Sequence, residues 1–236
     1  MPNEPHLRRS DPMTAHPTSR LSKDQATAQL VSAATALLAR EGPSALKARS
    51  VAAEAGMSSS AVYHHIGGLP ELIQAVVDEG FDDLTTAFAA IDPTSDPMAD
   101  LFTHALTTRD FAQASPHRYD LMFGLSTRGT YRSWDAEPSP RRSAAFRRTY
   151  ERLFLACERV ADSGRLHPAT NVAELADQLW CAVHGFVNLE LGGHLAHRTS
   201  PVTEVLEPLT VNILTSFGDS REAALASHTL ALRRPR

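Results

Sequence analysis

Residues 51–66 of this 236-residue chain read VAAEAGMSSSAVYHHI, a run dense in short polar side chains. Ser58, Ser59 and Ser60 stand together, Tyr63, His64 and His65 follow at helical distance, and Lys47 and Arg49 lie just upstream. Hydroxyls at the start of a helix, beside backbone N–H groups that have no helical partner, can reach phosphate oxygens and base edges. Lys47 and Arg49 can reach phosphates. The chemistry implied is hydrogen bonding to a nucleic-acid groove.

A second set lies far downstream. Trp180, His184 and Val187 fall on or near one helical face, with one polar group among apolar neighbours. Tyr119, Met122 and Phe123 share another face, in a segment opened by Pro116. Of the 15 aromatic residues, 14 lie at or after Phe81, so the bulky side chains that line a cavity belong to the second half. Taken singly, His184 reads first as a core histidine with its hydrogen bond satisfied, whereas the domain as a whole reads as one that holds a pocket. His194 and His197, three apart on an expected helix, have no assured third ligand, and no metal or cofactor is expected. Cys157 and Cys181 fall in apolar stripes, where inert burial is the usual fate.

The elements that must hold these groups are helices. Ser22 and Gln25 form a capping box for a helix to Arg40, with Leu30, Val31, Ala34, Leu37 and Leu38 at helical spacing. Ala48 to Ala55 makes a short helix, Gly56 turns the chain, and Ser58 caps a second short helix through His65. In that second helix Ala61, Val62 and Ile66 face inward in part, leaving Ser59, Ser60, Tyr63 and His64 outside. A longer helix opens at Leu69 and Pro70, where Pro fits the first turn. Further helices are expected at 98–114, 116–126, 141–163, 170–197, 202–217 and 220–232, with Pro208 forcing a kink or a late start. No period-2 strand is apparent, and 35 alanines favour helix. The fold expected is all-α.

Helix, glycine turn and helix, preceded by a long helix and followed by another, make a helix-turn-helix. The chain resembles the TetR (tetracycline-repressor-type) family through Ala33 and Ala34, Glu41 and Gly42, Val51 and Ala52, the run Ala55, Gly56, Met57, Ser58, then Tyr63, His64, His65, Ile66, and finally Glu71 and Leu72. The resemblance implies that Tyr63 and His65 contact the DNA backbone and that Ser59, Ser60 and His64 lie at or near base edges. Lys47 stands where the family has a capping Ser or Thr, Leu69 where it commonly has Lys, and Ile66 where it has Phe. Loss of the lysine leaves more of the phosphate binding to Lys47, Arg49 and the N-terminal arm.

The second half resembles the WHG-type C-terminal domain of one branch of that family, through Pro116, Tyr119, Leu121, Met122 and Phe123 together with Trp180, His184 and Gly185. What this implies is a homodimer, joined through 170–197 and 202–217, that binds a double-stranded DNA operator and a small apolar or amphipathic ligand. Repression is the family's commoner mode.

Composition bounds the alternatives. The chain carries 23 Lys and Arg against 27 Asp and Glu, a net charge of −4 that by itself disfavours a nucleic-acid partner. The acidity is uneven: residues 1–71 hold seven basic and six acidic side chains, residues 72–236 hold 16 and 21. The expected organisation is a disordered arm over 1–20, which holds four of 15 prolines, a DNA-binding domain over 21–71 and a ligand-binding and dimerisation domain over 72–236. Arg8 and Arg9 precede no apolar run, and no stretch of 18 apolar residues occurs, so a cytoplasmic protein without a membrane span is expected. Two rivals remain: a small helical enzyme with His184 as base, which lacks a nucleophile or paired carboxylates beyond Asp177, and an interaction protein that has lost DNA binding. No catalytic residue is assigned.

Overall fold

Ser22 starts the first helix of the computed structural model, which describes residues 21–123 and 140–234. Its hydroxyl accepts from the Gln25 N–H at 3.2 Å, while the Gln25 side chain accepts from the Ser22 N–H at 2.9 Å. This reciprocal cap opens α1 (Lys23–Glu41). After a 3₁₀ turn at Pro43–Ala45 come α2 (Ala48–Glu54), α3 (Ser59–His65) and α4 (Leu69–Ala89). Gly56, between α2 and α3, takes φ +65°, a left-handed conformation that costs other residues about 1–2 kcal/mol.

Leu30, Ala34, Leu38, Val51, Ala52 and Val62 form the buried centre of this module. Gln29 Nε2 donates to the Ala55 carbonyl at 2.9 Å, tying α1 to the turn. Arg40 forks onto Glu54 at 3.2 and 2.9 Å, joining α1 to α2. The expected boundary at 71 falls in the first turn of α4, whose buried residues as far as Phe88 share the core of α1–α3.

The remaining helices are α5 (Pro97–Ala114), α6 (Pro116–Phe123), α7 (Pro140–Asp162), α8 (Val172–Leu191), α9 (Glu207–Ser216) and α10 (Arg221–Leu232). Side-chain caps start three of them: Asp96 accepts from Met98 and Ala99, Asn171 from Ala173 and Glu174, and Ser220 from Ala223. Among the described residues there is no strand, and the fold is all-α.

Helix α5 is central, packed against α4, α7, α8 and α10. Helix α4 runs along α7, where the hydroxyls of Thr85 and Thr149 lie 2.8 Å apart and both reach the Phe81 carbonyl. Asp100, 1% exposed, accepts from Thr94, Arg159 and Arg234, pinning the chain's last turn to the start of α5. Burial pushes the Asp100 carboxyl up, but these partners outweigh it and hold the group below the usual carboxylate range. Helix α6 bridges the two halves, touching α1 and α4 on one side and α5 on the other.

Several expectations change. The helix expected over 170–197 stops at Leu191, because Gly192 and Gly193 break it, so His194 and His197 lie in turns. The segment expected over 202–217 divides into a π-helical turn at Val202–Leu206 and α9, with Pro208 in the first turn of α9. Cys157 is fully buried, but Cys181 is exposed, because it faces out from α8. The arm expected over 1–20 and the end of the helix expected over 116–126 lie outside the described residues. Among the described residues no helix is long and apolar enough to cross a membrane.

Candidate nucleic-acid interface and ligand cavity

The turn between α2 and α3 is fixed from inside. The Met57 N–H donates to the Ala52 carbonyl at 2.8 Å, and Met57 packs half-buried against the module's core. Val62 is fully buried, which orients α3 and turns its neighbours outward. Ser59, Ser60, Tyr63 and His64 are exposed, Tyr63 at 62%. His65 is half-buried, its ring edge-on to that of His64, and its Nδ1 has no hydrogen-bond partner.

Ser58 stands at the N-cap of α3, yet its hydroxyl makes no capping bond. It meets the Ser60 hydroxyl at 2.8 Å instead, so the expected side-chain cap is absent. Lys47 occupies the N-cap of α2 without capping it, as an ammonium must, since it has no acceptor. Lys47 and Arg49 are both exposed on the approach to α3. The module thus presents two cations, three serines, a tyrosine and an imidazole on residues 47–64, with the apolar positions turned away.

The second site is a narrow cavity among α4, α5, α7, α8 and α9. Phe88, Leu101, Phe102, Leu153 and Leu214 supply apolar wall, and Trp180 and His184 close one side. The space left is about 30 Å³, room for about one or two waters and far below what a drug-sized ligand fills. Around His184 the rings of Trp180, Phe123 and Tyr119 stand at centroid distances of 3.9, 4.3 and 5.7 Å. The Tyr119 hydroxyl is hydrogen-bonded to His184 Nδ1. Burial pushes the phenol's pKa up and drives the imidazole down to about 3, so both are neutral.

Of the residues expected at a ligand site, Trp180 and His184 line this cavity. Tyr119 lies behind His184, fully buried, and Phe123 packs on the outer side of the His184 ring. Val187 is buried one turn further along α8, and Met122 sits against Gly80 of α4, in the core of the N-terminal module. His104, Thr108 and Thr210 line the cavity without belonging to any motif. For His104 and Thr108 the signal was in α5 itself, a helix buried on nearly every side that still carries Asp100, Thr103, His104 and Thr108; Thr210, on α9, had none. Among the described residues no cluster of His, Cys, Asp or Glu could hold a metal ion.

A helix-turn-helix module joined by α4 and α6 to a larger helical bundle with an internal cavity defines a class of two-part regulatory protein. Two family models match: bacterial regulatory proteins of the tetR family over residues 30–76, and the tetracyclin repressor-like C-terminal domain over residues 101–212. The chain belongs to the tetR family. The HTH-type transcriptional regulator Rv1816 of Mycobacterium tuberculosis is 29% identical over 113 residues, 47% of this chain and 48% of that protein. The match therefore spans about half the length of this curated relative. Among solved structures, a protein of unknown function from Rhodococcus sp. RHA1 aligns with a TM-score of 0.69 at 22% identity, covering 87% of this chain and all of that one. RolR in complex with resorcinol aligns with a TM-score of 0.63 at 13% identity, over 91% of this chain and 97% of that one.

Proposed function

We infer that the protein is a cytoplasmic transcriptional regulator, a repressor in its simplest mode, that binds an operator as a homodimer and is controlled by a small uncharged ligand. The observation that carries the reading is the outward face of α3: Ser59, Ser60, Tyr63 and His64 have no packing role to explain them, and Lys47 and Arg49 flank them. In this reading Tyr63, His65, Lys47 and Arg49 hold the phosphate backbone, and Ser58, Ser59, Ser60 and His64 lie at or near base edges. Two such helices enter successive major grooves only if the dimer spaces them about 34–36 Å apart.

Dimerisation falls to α8 and α9. Asp177, Cys181, Gly185 and Leu189 form an exposed stripe on α8, and Leu209 is exposed on α9. The ligand enters the cavity beside Trp180 and His184, with Tyr119, Phe123 and Val187 packed behind it, while Met122 seats α6 on α4. The cavity is narrow, with about 30 Å³ free, so a ligand larger than a few waters must displace its walls.

Helix α6 carries that displacement. Tyr119 meets His184, Arg118 pairs with Asp83 at 2.8 Å, Met122 abuts Gly80, and the His117 ring lies against Gly42 at the end of α1. A ligand that fits one spacing of the two reading helices better than the other shifts the population between DNA-bound and free dimers.

The test is binding of the full chain to the DNA flanking its own gene across a salt series. A specific complex that weakens steeply with salt, and is lost in Tyr63→Ala, is expected. Absence of a specific complex at low salt overturns the reading.

A further inference from the structure

The polar groups on the α5 and α9 side of the cavity have already committed their hydrogens. His104 Nδ1 lies 2.9 Å from the Asp100 carbonyl, which can only accept, so Nδ1 carries the ring hydrogen. Burial holds this imidazole below its ordinary pKa, outweighing the opposing pull of Asp100, and the neutral ring keeps a lone pair at Nε2. Thr108 donates its only hydroxyl hydrogen to the His104 carbonyl at 2.9 Å, and Thr210 donates to the Leu206 carbonyl at 2.8 Å. Each of these two oxygens is left with lone pairs alone.

On α8 the polarity reverses. The Trp180 indole N–H can only donate. Tyr119 and His184 spend the phenol oxygen and Nδ1 on each other. The rest of the described wall is hydrocarbon and aromatic ring, and no Lys, Arg, Asp or Glu among the described residues lines the cavity.

We propose that the cavity takes an uncharged hydroxylated aromatic molecule, whose O–H donates toward His104 and the two threonines while its oxygen accepts from the α8 side. The proposal rests on this cavity being the ligand site. A hydroxyl suits it because one group both donates and accepts. A carboxylate would set its oxygens against lone pairs, and it or an alkylammonium would bury a charge with no counter-ion in the described lining, since Asp100, Arg159 and Arg234 beyond it are already paired with one another. An aryl ether has the shape but leaves the acceptors unpaired.

Three probes of one ring system decide it: 2-naphthol, 2-methoxynaphthalene and 2-naphthoate, titrated into the full chain by calorimetry with Tm measured in parallel. 2-Naphthol should bind and raise Tm, with the ether and the carboxylate each about tenfold weaker or worse. His104→Phe, which keeps a ring and removes the acceptor, should bring the naphthol-to-ether ratio close to one; Thr108→Val should lower it if His104→Phe does not fold. Equal binding of the ether, or preference for naphthoate, overturns the donor rule while leaving the cavity a ligand site. No binding of any probe overturns the proposal and leaves DNA recognition untouched, since the salt series reads that separately.

Discussion

The hydroxyl of Tyr119 on α6 and Nδ1 of His184 on α8 are hydrogen-bonded inside the protein, with both side chains buried and both neutral. This bond joins the helix that touches the DNA-reading module to the helix that walls the cavity. Among the described residues neither ring has another hydrogen-bond partner, so each satisfies the other in a place where an unmade bond is costly.

Tyr119→Phe should therefore cost about 1–3 kcal/mol, by leaving the imidazole Nδ1 buried and unpaired. A double-mutant cycle with His184→Leu should return a coupling energy of about 0.5–3 kcal/mol. Urea unfolding of the four proteins measures it, and additive effects would mean that the bond contributes nothing.

Acid should weaken the fold well before the carboxylates titrate. Burial lowers the His184 pKa to about 3 and that of His228 to about 4, against 6.5 for an exposed histidine. Below pH 6.5 the unfolded chain takes up protons that the folded one refuses. Stability from these groups is complete above that pH and is lost as pH falls toward 4, by up to about 1.4 kcal/mol per unit for each histidine. Glu207, whose carboxylate lies 2.7 Å from His228 Nδ1 and whose own pKa burial raises, offsets part of this, so His184 carries most of the effect. Tm should be level from pH 7 to 8 and fall steadily from 6.5 to 4.5; a level profile below 6.5 would contradict the assignment of neutral buried histidines.

The exposed face of α3 should separate binding from stability. Tyr63→Ala removes a side chain that is 62% exposed, so Tm should move little, within about 0.5 kcal/mol of stability. DNA affinity should drop at the same time. Lys47→Ala and Arg49→Ala should each flatten the dependence of log K on log salt by about one unit. A Tyr63→Ala protein that melts early, or one that still binds operator DNA normally, would show that the residue serves packing instead.

Cysteine reactivity should report the dimer face. Cys157 is fully buried, with its thiol pushed up to about 12 by burial, and should stay inert in the native protein. Cys181 is exposed on the α8 stripe assigned to the dimer. Its reaction with a thiol reagent should be slow at high protein concentration and speed up on dilution. A rate independent of concentration, in a chain that sediments as a dimer, would move the interface elsewhere.

Gly80→Ala should disturb the seat of α6 on α4. A Cβ there would lie 2.6 Å from Met122 Sδ and 3.2 Å from Arg118 Nε, so α6 must shift or its side chains repack, at about 1–3 kcal/mol. Thermal melting measures the loss, and an unchanged Tm would mean that the contact yields freely.

Much of this protein was legible in its residues because local rules wrote it. Ser22 and Gln25 capped the first helix as their spacing required, Gly56 turned the chain, and Val62 at the inward position left Ser59, Ser60, Tyr63 and His64 outside. Those features depend on neighbours within four residues, which a sequence displays directly. The Trp180 and His184 pair was readable for the same reason, being one turn apart on α8.

The cavity was not. Phe88, His104, Thr108, Leu153 and Thr210 come from four helices separated by long stretches of chain, and nothing in their spacing brings them together. Nor could spacing assign Ser58 its bond to Ser60, place Met122 against Gly80, or turn Cys181 outward while Cys157 went in. Periodicity of 3.6 residues and capping were enough to place most helices and their apolar faces, because both act within a turn or two of chain. Only the packing of α5 among its neighbours decided which polar atoms face the cavity and which hydrogens they have left to offer, because donors and acceptors are paired off across space and not along the chain.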